Sequence, residues 1–353
     1  MKICIYKGAE ALVEKSGVGS AIRHQETILK EAGYEVVSHM DSETDAVHLN
    51  TVFPDSVIAA LIAKICGKTI IYYGHSTMED FRYSFKGSNL FAPIFRIWIK
   101  FCYSMGDVII TPTEYSRRLL QSYGIRKPVI ALSNGIDIQQ YIPDTEKRKS
   151  FRQKYHLPED QKVILSVGHY IERKGILEYI EMARRMPQVQ FLWFGYTDPK
   201  LIPAKVQEAI KTAPENVHFP GYVSSDELRY AYQGSDLFCF MSHEETEGIV
   251  VLEALACEIP ILVRDIPVYE DWLTSGVNAY KAENLDEFIS IAKGILNNGL
   301  PSLSEQGRNV AKERAFPEIA NKMKRIYSEY CNKRNLKNIW SWRGGTIHEN
   351  INR

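Results

Sequence analysis

This sequence of 353 residues lacks several things, and each absence removes a class of explanation. No run of about 18 apolar residues occurs, so no helical membrane span is expected. Net charge is missing as well: 43 Lys and Arg balance 43 Asp and Glu, which leaves no basic excess to attract nucleic acid. Paired cysteine spacing is absent. Cys4, Cys66, Cys102, Cys239, Cys257 and Cys331 are scattered, several of them in apolar runs, as expected of reduced core thiols in a cytoplasmic protein rather than of a metal site or a disulfide framework. The opening residues "MKICIYKG" form a strand pattern with no apolar signal core, so export is not expected. There is no fixed-period repeat and no extended low-complexity segment.

What is present is an alternation. The short apolar runs "KICIY", "AVHLN", "TIIYYG", "DVIITP" and "VIALSNG", then "KVILSVG", "VQFLWFG", "DLFCFMS" and "IPILV", are separated by helix-length segments. That rhythm predicts an α/β fold with parallel sheets built from βαβ units. A chain of this length exceeds a single core, and the charged stretch 143–162 is the linker candidate. Two Rossmann-like domains are therefore expected, 1–150 and 151–332, followed by a polar tail, 333–353, of unassigned role. Doubly wound sheets bind ligands at the carboxyl ends of their strands, so an inter-domain cleft is the expected site.

The candidate residues do follow strands. In "LSVGHYIERKG", Gly168 permits close backbone approach, and Arg173 and Lys174 supply positive charge for an anionic ligand. "VHFPGYV" places a turn at Gly221, with Tyr222 and Val223 beside it, where backbone groups can meet a flat base. In "HEETEGIVVLEALAC", Gly248 opens a helix whose first residues, Ile249 and Val250, carry the unpaired N–H groups that favour phosphate. Glu245 lies in the preceding loop, and Glu253 lies about one and a half turns into the helix. An ionised carboxylate buried alone costs roughly several kcal/mol or more, so Glu253 amid "IVVLEALAC" implies either exposure or a polar partner. "EKSGVGSAIRHQ" supplies Gly17 and Gly19. A dinucleotide fingerprint is rejected there, because Ile22 occupies the third glycine position and the loop begins well after the strand. His75 in "YYGHST" ends a strand.

The order of "NGID" (134–137), "VGHYIERKG", "FPGYV", "SDLFCFMS" and "EETEGIVVLEALA" resembles family-four glycosyltransferases. The resemblance, running from the first strand to about Asn332, implies the GT-B fold and a retaining transferase that uses a nucleotide-activated sugar, here a UDP-sugar, without metal or other cofactor. It implies that Glu245 holds donor-sugar hydroxyls, Glu253 the ribose diol and Lys174 the phosphates, that Gly17 and Gly19 belong to a glycine loop near the donor phosphate or acceptor, and that His75 lies near the donor sugar. The family's phosphate-binding Arg is replaced by His169, with Arg173 nearby as a substitute. Glu247 stands where an aromatic is usual and Glu258 where a small residue is usual. No nucleophile is evident in the first half, so retention is expected by same-face attack, with Lys174 and the helix start at Gly248 stabilising leaving-group charge.

Residues 81–103, "FRYSFKGSNLFAPIFRIWIKFCY", hold Arg82, Lys86, Arg96 and Lys100 without an acidic residue. Phe91, Ile94, Phe95, Trp98 and Phe101 recur there near helical spacing, and Pro93 suits a first helical turn. This pattern is expected to lie in an anionic membrane interface, with Arg117, Arg118, Arg126 and Lys127 adding charge to the same half. "EKSGVGSAIRHQ", "GHSTMEDFRYSF" and "ALACEIPILVRDIPVYEDW" resemble Gram-positive glycolipid synthases that add a second hexose to monoglucosyldiacylglycerol. That resemblance implies transfer of glucose or galactose, a dihexosyl diacylglycerol product of the kind that anchors lipoteichoic acid, and a peripheral place on the inner face of the cell membrane. The alternatives are a polysaccharide or protein-glycan transferase and, in another class, a non-catalytic sugar-nucleotide-binding membrane protein.

Overall fold

The computed structural model describes residues 1–8, 13–14, 16–85 and 87–343, with side chains described as far as Cys331. Lys86 and the side chains of the tail therefore lie outside the described residues. The first domain alternates β1 (Lys2–Ile5), α1 (Gly17–Glu31), β2 (Glu35–Val37), β3 (Ala46–Leu49), α2 (Pro54–Ile65), β4 (Thr69–Tyr73), α3 (Met78–Phe81), α4 (Ser88–Ser104), β5 (Val108–Thr111), α5 (Glu114–Ser122) and β6 (Val129–Ala131). The second continues with α6 (Thr145–Lys154), β7 (Val163–Val167), α7 (Ile176–Arg184), β8 (Gln190–Phe194), α8 (Ala204–Lys211), β9 (Val217–Gly221), α9 (Ser225–Gly234), β10 (Leu237–Phe240), α10 (Ile249–Ala256), β11 (Ile261–Arg264), β12 (Tyr280–Ala282), α11 (Leu285–Leu296), α12 (Ser304–Lys312) and α13 (Phe316–Arg343).

Both sheets are parallel throughout, in the orders β2-β1-β3-β4-β5-β6 and β12-β11-β10-β7-β8-β9. Burial on both faces explains the composition of the central strands: β4, "TIIYY", and β7, "VILSV", are buried at every position. Strand order reverses between β1 and β3 in one sheet and between β7 and β10 in the other, and the cleft forms at these two crevices. This is the two-domain α/β arrangement expected from the sequence.

Three details differ from expectation. The charged stretch 143–162 is not an open linker: Asp144 caps α6 by accepting from the amides of Glu146 and Lys147, and Phe151 enters the second core. A boundary at 150 thus falls inside a helix of the second domain, and the chain crosses between domains before α6. Pro93 is interior to α4 rather than in its first turn. Finally, α13 returns to the first domain, where Phe316, Ile319, Met323 and Tyr327 share a core with Ile3, Ile5, Ile22 and Ile28. The Tyr327 hydroxyl lies 3.1 Å from His48 Nδ1 on β3.

Met323 is fully buried at this junction. Met323→Ala is expected to cost about 2–5 kcal/mol through lost burial and the cavity left behind, whereas Lys324→Ala on the exposed side should stay within about 0.5 kcal/mol. Urea midpoints of the two variants check this, and equal midpoints would show that α13 does not support the first domain.

Candidate functional site

A cavity of about 340 Å³ lies between the two domains, large enough to enclose much of a small ligand. Its second-domain wall is built from strand ends. Gly168, His169, Arg173 and Lys174 follow β7, Gly195 and Tyr196 follow β8, and Tyr222 and Val223 follow β9. Gly195 is required here: its φ is +148°, and a Cβ would lie 2.0 Å from the Gly168 carbonyl oxygen. Gly221 (φ +85°) turns the chain at the end of β9 and does not line the cavity itself.

The loop after β10 carries three buried carboxylates at Glu245, Glu247 and, within α10, Glu253. Glu245 pairs with the Lys174 ammonium. Burial alone would raise the Glu245 carboxyl, but Lys174 and Arg173 outweigh it and hold Glu245 below its ordinary range. Burial also lowers Lys174, partly offset by Glu245. Arg173 Nη1 donates to the Glu244 carbonyl at 2.5 Å and to Asp80 Oδ1, on α3 of the first domain, at 2.9 Å. The guanidinium thus bridges the two domains.

Glu253 is buried and pairs with no cation among the described residues. Tyr232 and Tyr141 donate to its two oxygens at 2.7 and 3.0 Å. Burial still raises its carboxyl above the ordinary range, against the pull of the two hydroxyls. Gly248, at φ +88°, caps α10, so Ile249 and Val250 present the first helical amides at the cavity. Glu247 accepts from the Asn134 backbone and side-chain amides at 3.1 and 2.7 Å, which ties the loop to the first domain. Thr113 donates to the Thr246 carbonyl at 2.9 Å, and Tyr115 to Glu244 at 2.8 Å. Glu244 is pushed up to about 7, chiefly by burial.

On the first-domain wall, His75 is buried at the end of β4, stacked on Tyr73 at 4.7 Å. Its Nε2 lies 3.1 Å from Asn50 Oδ1 and 3.3 Å from the Gln25 amide nitrogen. Burial pushes the ring down to about 3, so it is a neutral hydrogen-bonding group at working pH. Gly17 lines the cavity with open space where a Cβ would stand. Gly19 does not line it. A Cβ there would meet the Val13 and Glu14 carbonyls at 2.6 and 2.5 Å, so Gly19 lets α1 pack on its own lead-in.

The structure therefore brings together Glu245, Lys174, His75, Gly17, His169, Arg173, Tyr222, Val223, Gly248, Ile249, Val250 and Glu253, and leaves Gly19 and Gly221 in supporting positions. None of the described residues of 81–103 lines the cavity, although Ser84 Oγ accepts from Arg173 Nε at 3.3 Å. Trp98 Nε1 donates to the Val52 carbonyl at 2.7 Å, Phe95 stacks on Phe81 at 4.1 Å, and Arg96 bonds the Ser122 carbonyl and covers the Tyr123 ring. The expected apolar anchors Phe95 and Trp98 thus face the protein, while Leu90, Phe91, Ile94, Ile97 and Phe101 are exposed, as are Arg82 and Lys100. Sequence reasoning missed Tyr141, Tyr232, Asp80 and Asn50, each distant in the chain from the group it serves. The crowding of acids in "HEETEG" was the available signal for the inter-domain role of Glu247.

Residues 24–140 match the profile described as "Glycosyltransferase Family 4", and residues 147–313 match "Glycosyl transferases group 1". The chain is 38% identical to the processive diacylglycerol alpha-glucosyltransferase of Acholeplasma laidlawii, covering 93% of this chain and 98% of that protein. It is 26% identical to the alpha-galactosylglucosyldiacylglycerol synthase of Streptococcus pneumoniae, over 85% of this chain and 82% of that one. Among solved structures, Anabaena HepE in complex with UDP-glucose superposes with a TM-score of 0.73 at 17% identity, over 93% of this chain and all of that one.

Because the folded state raises Glu253 above its ordinary value of 4.5, it holds more protons than the unfolded chain just above that pH. Wild type should lose stability as pH rises through this window, and Glu253→Gln should not. The melting temperature of the variant, measured relative to wild type, is expected to climb as pH rises above about 4.5. A falling difference would show that the tyrosines outweigh burial.

Proposed function

Since the chain belongs to the family-four glycosyltransferases, we propose that it is a retaining hexosyltransferase moving glucose or galactose from a UDP-sugar to a diacylglycerol glycolipid, monoglucosyldiacylglycerol, at a membrane surface. The observation that carries this reading is the buried Lys174–Glu245 pair at the strand ends of one domain, with Glu253 held by two tyrosines in the same cavity. The diacylglycerol acceptor is supported by the names of the two relatives given above, which share that lipid class.

In the proposed reaction the donor diphosphate lies against Lys174 and the first amides of α10, Glu245 holds the sugar hydroxyls and Glu253 the ribose diol. The bond from the anomeric carbon to the phosphate oxygen breaks, and the acceptor hydroxyl bonds to that carbon on the same face. The hydroxyl proton passes to the leaving diphosphate oxygen. Lys174 and the helix amides stabilise the charge that grows there, and no side-chain base and no metal are needed. His75, neutral, offers a hydrogen bond to the transferring sugar.

The exposed apolar residues of the first domain support membrane contact. Leu90, Ile94, Ile97 and Phe101 form a stripe at helical spacing along α4, and Ile58, Leu61, Ile62 and Ile65 form a second stripe on α2. Both helices contribute to the same core cluster on one face of the first sheet. With Arg96 folded onto Tyr123, insertion of these stripes outweighs surface charge in the proposed contact.

Two experiments test the reading. A panel of nucleotide sugars with monoglucosyldiacylglycerol liposomes should give turnover with a UDP-hexose, an α-linked product by NMR, and activity unaffected by chelator. Glu245→Gln should lower kcat by about tenfold or more, and Glu253→Gln should chiefly raise the donor KM. Normal kinetics for both, or a chelator loss restored by magnesium or manganese, would contradict the assignment. Replacing Leu90, Ile94, Ile97 and Phe101 with Ser should abolish flotation with anionic liposomes and reduce glycolipid synthesis about tenfold or more, while slow donor hydrolysis in solution persists. Equal flotation of variant and wild type would place the membrane contact elsewhere.

A further inference from the structure

We propose that His169 makes donor binding proton-linked: its ring is neutral in the empty cleft and takes up one proton when a diphosphate enters. The inference rests on the nucleotide-sugar reading above and concerns the chemistry of that same site.

His169 follows Gly168 at the carboxyl end of β7 and lines the cavity with Lys174. Its Nδ1 lies 2.6 Å from the Tyr196 carbonyl oxygen. A carbonyl can only accept, so Nδ1 carries the hydrogen and the lone pair of the neutral ring is on Nε2. No hydrogen bond to Nε2 is found among the described residues. The two cations beside it are already engaged, Arg173 with Asp80 and the Glu244 carbonyl, and Lys174 with Glu245. Nε2 of the imidazole thus stands open on the same wall as these cations and the first amides of α10.

The surrounding charges explain why that nitrogen is bare before the ligand arrives. Partial burial disfavours the imidazolium, and Lys174 and Arg173 add like-charge repulsion; the Tyr196 carbonyl and Asp80 act the other way without prevailing. A nucleotide sugar brings about two negative charges to the same wall. These reverse the local field, and a protonated Nε2 donates to a phosphate oxygen as a charge-assisted hydrogen bond. A permanent guanidinium in this place would hold the diphosphate equally at every working pH; a histidine holds it in proportion to proton activity.

Glu244, pushed up to about 7, Glu253, raised by burial, and Lys174, lowered by it, are competing sites of proton uptake in or beside the same cavity, and uptake at any of them would survive in the His169 variants. The sugar-nucleotide itself is not a source, because a diphosphate diester stays fully ionised across this range. Titration calorimetry with UDP-glucose, in buffer pairs of different ionisation enthalpy at about pH 7, counts the protons exchanged on binding. Wild type and Glu244→Gln are expected to take up close to one proton, and wild-type Kd should rise by up to about tenfold per pH unit between about pH 6.5 and 8.5. His169→Arg and His169→Gln should take up none, with a flat Kd in the Arg variant. Binding by wild type without uptake, uptake that survives in both His169 variants, or uptake lost in Glu244→Gln overturns the proposal alone. Failure of wild type to bind either UDP-glucose or UDP-galactose overturns the donor reading, and this inference with it.

Discussion

A carboxylate in a protein interior has to be answered, and the segment 245–253 carries buried carboxylates whose answers come from different parts of the molecule. Lys174, from the loop after β7, answers Glu245. Asn134, from the first domain, answers Glu247. Tyr141, from the crossing segment, and Tyr232, from α9, answer Glu253. The loop and helix that would grip the donor are thereby fastened to two strand ends, a neighbouring helix and the other domain. Removing one partner does more than delete a contact, since it leaves a buried charge unanswered.

The kind of answer decides the state of each group. A cation keeps Glu245 ionised despite burial, whereas neutral hydroxyls and amides leave Glu253 and Glu247 raised. One stretch of chain therefore presents a firm negative charge toward Lys174 and softer acceptors farther along. An ionised acceptor and softer ones both suit hydroxyl donors, and burying them makes the site less stable than an apolar replacement would be.

Much of this was legible from residue order. Central strands such as "TIIYY" and "VILSV" are apolar throughout because both faces are covered, and such runs are hard to mistake. The outer strands β2 and β12 have three residues each and carry too little pattern to be seen. Glu245, Lys174 and His75 could be singled out because each lies in the short segment after a strand, two to seven residues beyond its end. The partners Tyr232, Tyr141, Asn50 and Asp80 were not, because a hydrogen bond between residues far apart in the chain leaves no local periodicity. The amphipathic stretch 81–103 showed that a helix has an apolar side but not which way that side points. Trp98 turned inward to reach the Val52 carbonyl, where its N–H finds an acceptor. The helix α6 within the charged stretch 143–162 went unseen because it buries few residues, Phe151 and Arg152 among them.

The chain passes between the domains before α6 and again into α13, and the two crossings are stitched together. Ile136 donates to the Arg314 carbonyl at 3.0 Å, and Phe316 donates to Ile136 at 3.1 Å, forming an isolated parallel bridge. Were the domains to move on one another, these side-by-side crossings would restrain sliding and twisting and leave rotation about one axis. Displacement is least beside the axis and grows with distance from it, so a few degrees at Ile136 become ångströms at the outer lip of the cleft. Asn134, two residues from the pin, can stay with Glu247 through such a swing. Opening by such a swing would have to part the other inter-domain contacts, Arg173 with Asp80 and Tyr115 with Glu244 among them.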